Sequence, residues 1–389
     1  MTKLKAVIIG CGIGGATTAV ALKGSGMDVE LYEQAPELFE VGAGVGLWAN
    51  ALRALETVGM LEKVLSLSAG PVGTGVRRPD GQWLLRLPRD VMESRWGGGF
   101  ISVHRAELHG LLASELDPAS VHLGARCTGF EQENGRVQVR FDNGNEIEAD
   151  VLVGADGVRS VVRAGLSGPA RLRYRGYTNW RGVTPPRSVP LVTEGMDTWG
   201  RGGHFGLQPT SGDRILWYAG RNVDEGGQDG DDIRQQLLEM FGDWHDPIPA
   251  VIEATPKESL VRNDVYDCWP SREWNRGSIV LVGDAIHPMT PDLGQGACQA
   301  IVDGTTLASC LLGGNDVPLA LHAYRRSRYR NAAIAMFFSR TWGGAGQMEG
   351  RVTCAIRDSL VKAMPLSLQL RQLDLVIQKQ RNWVNSATV

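Results

Sequence analysis

The first thirty-three residues restrict this chain more than any other stretch. Lys3 to Ile9 is a short apolar run rich in β-branched residues, followed by Gly10-Cys11-Gly12-Ile13-Gly14-Gly15, an Ala/Leu-rich stretch, and Val29-Glu30-Leu31-Tyr32-Glu33. The pattern reads as strand, tight turn, helix and strand. Three glycines have distinct tasks: Gly10 permits the turn, Gly12 lets the backbone approach a pyrophosphate, and Gly15 lets the helix pack closely on the strand. The helix N-terminus then offers unpaired N–H groups and a partial positive charge to phosphate. Glu33 stands about 20 residues on, where an acidic side chain accepts hydrogen bonds from ribose hydroxyls. With 50 glycines in 389 residues, the glycine spacing alone carries little weight. The flanking strand, helix and Glu33 make it point to a dinucleotide.

A chain of 389 residues has room for about two domains with substantial cores. A formal net charge of −3 leaves no electrostatic footprint for nucleic acid and no like-charge tail. No apolar run approaches the roughly 18 residues that span a bilayer, and the glycine turn interrupts any signal-peptide layout, so a cytoplasmic location is expected. Cys11, Cys127, Cys268, Cys298, Cys310 and Cys354 are scattered without a C-x-x-C pair. Buried reduced thiols are therefore expected, with neither a disulfide framework nor a metal site.

Beyond Glu33, a glycine-rich loop from Val41 to Gly46 runs into a helix with Leu52, Leu55, Val58 and Leu61 on its apolar side. Short strands follow around the hairpin signal Pro79-Asp80-Gly81. Ser102 to Leu108 is expected to open a helix with Arg105 in its first turn, where a cation opposes the dipole and an ion pair or an anionic ligand should compensate it. Residues 121–153 read as a β-meander through Val121–Leu123, Arg136–Phe141 and Glu146–Val153. Its last strand enters Gly154-Ala155-Asp156-Gly157-Val158-Arg159-Ser160. Asp156 either caps the following helix or belongs to a dinucleotide groove shared with the first turn.

Between Arg171 and Val261 the strand candidates are Arg173–Val183, His204–Gln208 and Arg214–Gly220, with helices at Asp231–Phe241 and Pro247–Ala254. Alternation puts Tyr177, Asn179 and Arg181 on one face and Thr178 and Trp180 on the other. A buried-type strand, Ser278–Val282, then leads into Gly283-Asp284-Ala285 and on to Gly294-Gln295-Gly296, ahead of a helix from about Ala297 to Leu312. These glycines again expose backbone N–H groups at a helix N-terminus. After Val317 the chain reads as helical, broken at Pro365.

The first glycine turn with Glu33, the run Asp156-Gly157-Val158-Arg159-Ser160, and the run from Gly283-Asp284 to Gly296 together resemble the signature set of the single-component FAD-dependent aromatic hydroxylases. The third run also matches that family's longer pattern at His287, Pro291, Gly294, Gly296, Asp303 and Leu307. The resemblance spans about residues 3 to 330. It implies an α/β fold: a Rossmann-like FAD-binding domain (1–70, 98–172 and 262–330), an inserted mixed β-sheet substrate domain (71–97 and 173–261) and a helical C-terminal segment (331–389). It implies FAD as cofactor and NADH or NADPH as electron donor, the nicotinamide having no Rossmann domain of its own. Gly10, Gly12 and Gly15 would hold the pyrophosphate, Glu33 the adenosine ribose, and Arg105 the adenosine or pyrophosphate side. Asp156 would lie behind the pyrophosphate and Asp284 at the ribityl chain. Gly294 to Gly296 would set a helix N-terminus against the flavin pyrimidine, where the dipole favours an anionic reduced ring. Pro291 would lie where oxygen reacts. The implied reaction is hydroxylation of a small aromatic or heteroaromatic compound by O₂ through a flavin hydroperoxide.

Gly203 to Pro209 resembles the strand that faces the flavin in this family, where relatives acting on phenols or hydroxypyridines carry a His at its start. His204 is therefore the candidate base, since an imidazole titrates near neutral pH. Asn179, Trp217 and Tyr218 are candidates for the pocket wall. Tyr177 to Gly182 resembles the FAD-dependent urate hydroxylases, but those carry an Arg where His204 stands, so this resemblance does not by itself name urate as the substrate. His287 belongs to the cofactor motif and is given no proton transfer. The rival readings are an epoxidase on the same fold, or a flavin-binding redox sensor whose helical tail, with Trp342, Met348 and Trp383, binds a partner. A monomer or a homodimer is expected.

Overall fold

A computed structural model describes residues 3–38, 44–312 and 316–377. The loop positions Val41, Gly42 and Ala43, and Trp383 of the tail, lie outside the described residues.

The chain begins with β1 (Lys5–Ile9), α1 (Ile13–Gly24) and β2 (Asp28–Tyr32), then β3 (Gly44–Leu47), α2 (Ala49–Thr57) and α3 (Leu61–Leu65). The hairpin β4 (Thr74–Arg77) and β5 (Trp83–Leu87) leads to α4 (Arg89–Trp96), β6 (Ile101–His104) and α5 (Arg105–Ser114). Next come β7 (Val121–His122), β8 (Cys127–Glu133), β9 (Arg136–Phe141), β10 (Glu146–Ala149), β11 (Val151–Gly154) and α6 (Val161–Ser167). The middle of the chain supplies β12 (Arg173–Val183), β13 (Met196–Trp199), β14 (Gly203–Thr210), β15 (Arg214–Asn222), α7 (Ile233–Phe241), α8 (Ile248–Ala254) and β16 (Val261–Asp267). It ends with β17 (Asn275–Arg276), β18 (Ile279–Leu281), α9 (Gly296–Leu312), α10 (Val317–Gly346), α11 (Arg351–Ala363) and α12 (Leu366–Ile377).

One sheet has the order β17-β18-β11-β1-β2-β7, and β1 runs parallel to both of its neighbours. The unbroken apolar run of β1 follows from burial on both faces. The expected meander is divided between sheets. β7 joins the parallel sheet beside β2, while β8, β9 and β10 form a separate antiparallel sheet. β11 then leaves that meander and inserts next to β1. Its residues are buried throughout, whereas β9 alternates between exposed and buried, and that difference in pattern separates the two environments. The helix expected from Ser102 starts at Arg105, because Ile101–His104 pairs with β3 as a strand.

The second large sheet has the order β16-β12-β15-β14-β13-β4-β5. Three expected boundaries shift against it. The stretch 71–97 contains the helix α4 as well as the hairpin, β16 extends the substrate sheet past 261, and α10 runs unbroken through 330. One face of this sheet packs on α7 and α8, burying Trp180, Phe205, Leu207, Trp217, Phe241 and Val251 in a second core. On the opposite face, cross-strand register aligns Arg181, Tyr218, Gly206, Asp197, Val76 and Leu85 in one row.

The C-terminal helices are tied back to the body. Asp374 of α12 accepts from Arg95 and, at 2.9 Å, from the Trp96 indole N–H, and an Arg53 nitrogen donates to the Ile377 carbonyl at 2.8 Å. No helix among the described residues is long and apolar enough to cross a membrane.

Candidate active site

The first glycine turn divides its labour. Gly10 has φ +98°, and a Cβ on it would lie 2.5 Å from the Ala155 carbonyl oxygen; one on Gly15 would lie 1.9 Å from the Gly10 carbonyl oxygen. These two glycines let strand, turn and helix close on one another. Gly12 precedes α1, has no atom within 4 Å of its Cβ position, and borders a large cavity. The Glu33 carboxylate accepts from the Cys11 N–H at 2.8 Å and the Ala35 N–H at 2.9 Å, so it braces the turn.

Of the two readings of Asp156, its carboxylate takes the cap. It accepts from the Ser160 hydroxyl, the Val161 N–H at 2.7 Å and the Val162 N–H at 3.2 Å. Burial raises its pKa, and these bonds oppose the rise. Its neighbours Ala155 and Gly157, rather than its side chain, line the cavity.

The third motif builds the far wall. Asp303 accepts from the Gly283 N–H at 2.9 Å, from Arg328 Nε at 2.6 Å, and shares a 2.6 Å bond with His287 Nε2. Burial alone would raise its pKa, but Arg328 and His287 pull it below the ordinary value. His287 is thus held in a structural network. Asp284 turns instead into the cavity; its surface is open to that space, yet surrounding protein raises its carboxyl pKa, with His287 and Arg105 opposing. Gly294, at φ +61°, turns the chain from Pro291–Leu293 into α9.

The cavity has a volume of about 470 Å³. Gly12, Arg105, Asp284, Pro291, Gly294 and Gly296 line one side, and Asn179, Arg181, Asp197, His204, Gln208 and Tyr218 the other. The first side fits FAD: two helix N-termini, a guanidinium and a carboxylate, with the open Cα of Gly12 where a phosphate needs bare backbone.

The second side comes from alternation. Tyr177, Asn179 and Arg181 do share the inner face of β12, while Thr178 bonds Asp264 and Trp180 joins the second core. Tyr218 and Trp217 both border the cavity. The Trp217 indole, however, stacks on Phe205 in the second core and donates to Thr255 Oγ1 at 2.8 Å, so its ring is anchored on the helix-covered face of the sheet. His204 is buried, with Nδ1 3.8 Å from Asp292 Oδ1; the Tyr177 hydroxyl donates to Asp292 Oδ2 at 2.5 Å. Asp197 accepts from the Trp199 indole at 2.8 Å. Burial raises the Asp197 pKa, countered by His204, and burial with the nearby Asp292 pushes the Tyr177 phenol well up. Burial followed by Asp197 and Asp292 does the same to Tyr218, which therefore stays a neutral donor.

Several of these residues escaped sequence reasoning. Asp292 stood inside a recognised run, and Tyr177 on a recognised face, but their contact spans more than a hundred residues. Two glycines of α10 were invisible as site residues. A Cβ on Gly343 would lie 2.3 Å from Asp292 Oδ2, and one on Gly346 would lie 3.2 Å from His204 Nδ1. Trp342, a partner-surface residue only in the rival sensor reading, lines the cavity and packs edge-on against Trp199; Met348 is exposed.

The model of the FAD binding domain family matches residues 3–339. The aurachin C monooxygenase/isomerase of Stigmatella aurantiaca is 38% identical over 369 residues, covering 93% of this chain and 95% of the relative. The 6-hydroxynicotinate 3-monooxygenase of Pseudomonas fluorescens is 32% identical over 356 residues, covering 86% of this chain and 90% of the relative. The structure of Klebsiella pneumoniae HpxO complexed with FAD and uric acid superposes with a TM-score of 0.89 at 27% identity, covering 96% of each chain.

Proposed function

The chain belongs to the FAD binding domain family, and we propose that it is an FAD-dependent monooxygenase in which His204 is the base. The overall reaction converts an aromatic or heteroaromatic C–H, with NAD(P)H, O₂ and a proton, to C–OH, NAD(P)⁺ and water. Relatives named for monooxygenation, one of them of a hydroxynicotinate, and a fold neighbour that holds uric acid support this substrate class.

FAD, when bound, supplies hydride acceptance and oxygen activation, which amino-acid side chains lack. The chain contributes the rest. Backbone at Gly12 and the start of α1 would hold the pyrophosphate, Arg105 would balance its charge, and Asp284 would accept from ribityl hydroxyls. Glu33, whose oxygens accept from the Cys11 and Ala35 N–H groups, would take the adenosine ribose hydroxyls on its remaining lone pairs. The N-terminus of α9 would stabilise negative charge on the reduced ring. Pro291, at the start of the turn before Gly294, would border the oxygen site.

One observation carries the substrate half. His204 Nε2, Asn179 Oδ1, Gln208 Oε1, Asp197 Oδ1 and Asp292 Oδ1 are buried polar atoms without a hydrogen-bond partner in the protein, and all belong to residues lining the cavity. Each such atom costs about 1–3 kcal/mol if left unpaired, so a cluster of them marks a ligand's polar edge. His204 takes a proton from a substrate hydroxyl, Asp292 and Asp197 stabilise the imidazolium that results, and the neutral Tyr218 hydroxyl donates to the oxygen left behind. The six free cysteines, five of them buried, support a cytoplasmic site of action.

The test is to mix purified holoprotein with NADH or NADPH and O₂ over a panel of phenols, hydroxypyridines and purines, and to identify products by mass. A product heavier by one oxygen, labelled from ¹⁸O₂, is expected. Nicotinamide oxidation that yields only peroxide with every ring compound would sink the reading in favour of a sensor.

A further inference from the structure

We infer that the substrate is amphipathic, an aromatic head carrying an aliphatic arm, and that the arm lies between the β4–β5 hairpin and the C-terminal helices α11 and α12. The inference rests on the monooxygenase reading above and extends it to the shape of the substrate.

The inner face of the large sheet changes character along one row. Arg181 stands at one end, Tyr218, Gly206 and Asp197 in the middle, and Val76 and Leu85 at the other end. Five unpartnered polar atoms cluster on β12, β14, β13 and the Asp292 turn, whereas the α12 wall contributes one, the amide oxygen of Gln369. From Asp197 outward to Leu85 the row crosses two strand spacings, about 10 Å, through Val76, with the Thr74 hydroxyl the polar group of β4 on this face. Leu87 continues that surface, and from the opposite side Val361, Leu373 and Val376 close over it.

Charge follows the same division. The arginines lining the cavity are Arg105 and Arg181, and its carboxylates are Asp197, Asp284 and Asp292; none lies on β4, β5, α11 or α12. Gln369 and Gln372 are uncharged lining groups of α12. A small hydroxylated ring would satisfy the polar end and leave this apolar half of the cavity in contact with water. A carboxylate substituent directed there would find no cation. An aliphatic substituent would be desolvated on both sides, by the hairpin beneath and the helices above.

The wall is built rather than incidental. Asp374 holds α12 to Arg95 and Trp96 of α4, which follows the hairpin directly, so both sides of the apolar space are braced together.

The experiment titrates the holoprotein with para-alkylphenols from methyl to octyl, reading the dissociation constant from the perturbed flavin spectrum and from calorimetry, with products assayed separately. Affinity should rise about threefold to fourfold per methylene until the arm is filled. Leu373→Gln and Val361→Gln, each checked for retained FAD and thermal midpoint, should flatten that dependence on chain length. Affinity that is level or falls with chain length in the wild type overturns the inference, as does an undiminished slope in both variants. A rising slope without oxygenated product supports the inference while removing the monooxygenase reading. Product from cresol with no chain-length dependence does the reverse.

Discussion

His204 and Asp292 face each other across 3.8 Å, both buried, where two walls of one cavity meet: the histidine on β14 of the second large sheet, the aspartate in the turn that leads into α9. The other oxygen of Asp292 is occupied by the Tyr177 hydroxyl. The contact therefore ties the candidate proton acceptor to the segment proposed to hold the cofactor.

His204→Ala is expected to lower hydroxylation by about 10²–10⁴-fold, the usual size of a general-base contribution. Flavin reduction by the nicotinamide should change little. Stopped-flow measurement of the two half-reactions separates them, and equal losses in both would remove His204 from proton transfer.

Gly12→Ala and Gly15→Ala should fail in different ways. A Cβ at Gly12 meets nothing within 4 Å, so the variant should fold with an unchanged thermal midpoint but bind FAD at least about tenfold more weakly. A Cβ at Gly15 collides with the Gly10 carbonyl oxygen at 1.9 Å, so that variant should lose stability as well. Thermal melts beside FAD titrations read the contrast. Normal FAD affinity in Gly12→Ala would show that the cofactor does not approach this backbone.

Glu33→Ala strips two backbone N–H groups of a charged acceptor, bonds worth about 1.5–3 kcal/mol each. Both stability and FAD content should fall, and Glu33→Gln, which keeps one carbonyl oxygen, should fall between. Undiminished flavin occupancy in Glu33→Ala would contradict a role at the ribose.

Replacing a helix-interior glycine with alanine ordinarily gains about 1 kcal/mol. At Gly343 the added carbon would lie 2.3 Å from Asp292 Oδ2, so Gly343→Ala must displace that carboxylate. We expect FAD content to persist while hydroxylation falls by up to about 100-fold, the effect of an ångström-scale misplacement. Unaltered turnover would mean that Asp292 has freedom to move without consequence.

The Asp303–Arg328 pair should give an acid-sensitive contribution to stability. Because the folded pKa of Asp303 is depressed, its contribution is complete above about pH 4 and is lost as the pH falls further. Arg328→Met, which leaves the carboxylate buried with one partner fewer, should cost about 3–5 kcal/mol at pH 7. The gap to wild type should narrow below about pH 4 as Asp303 protonates. Denaturant titrations at both pH values test this, and an equal gap at each would place the loss in packing rather than charge.

Local pattern was legible in the sequence wherever the period of the chain determines the outcome. The alternation carried through: Asn179 and Arg181 line the cavity and Tyr177 bonds Asp292 beside it, while Trp180 enters the second core and Thr178 bonds Asp264. The same alternation sends the Trp217 ring into the second core although the residue borders the cavity beside Tyr218. The fate of Asp156 depended on which partner a short carboxylate finds first, and the nearest were the N–H groups of its own helix. Gly343 and Gly346 carried no local signal at all. Their role exists only because α10 returns to pack against the Asp292 turn and the substrate sheet.

That helix also imposes a phase. Arg328, which anchors it at Asp303, and Gly346, which meets His204, are 346 − 328 = 18 residues apart on one uninterrupted helix. At 3.6 residues per turn this is five whole turns, about 27 Å along the axis, so the two contacts fall on the same side of the rod. Inserting or deleting one residue between them would turn everything beyond by about 100° and swing Phe338 or Trp342 away from the cavity. Along this span side chains can be exchanged in evolution, but its length cannot drift by a single residue without uncoupling the anchor from the chemistry.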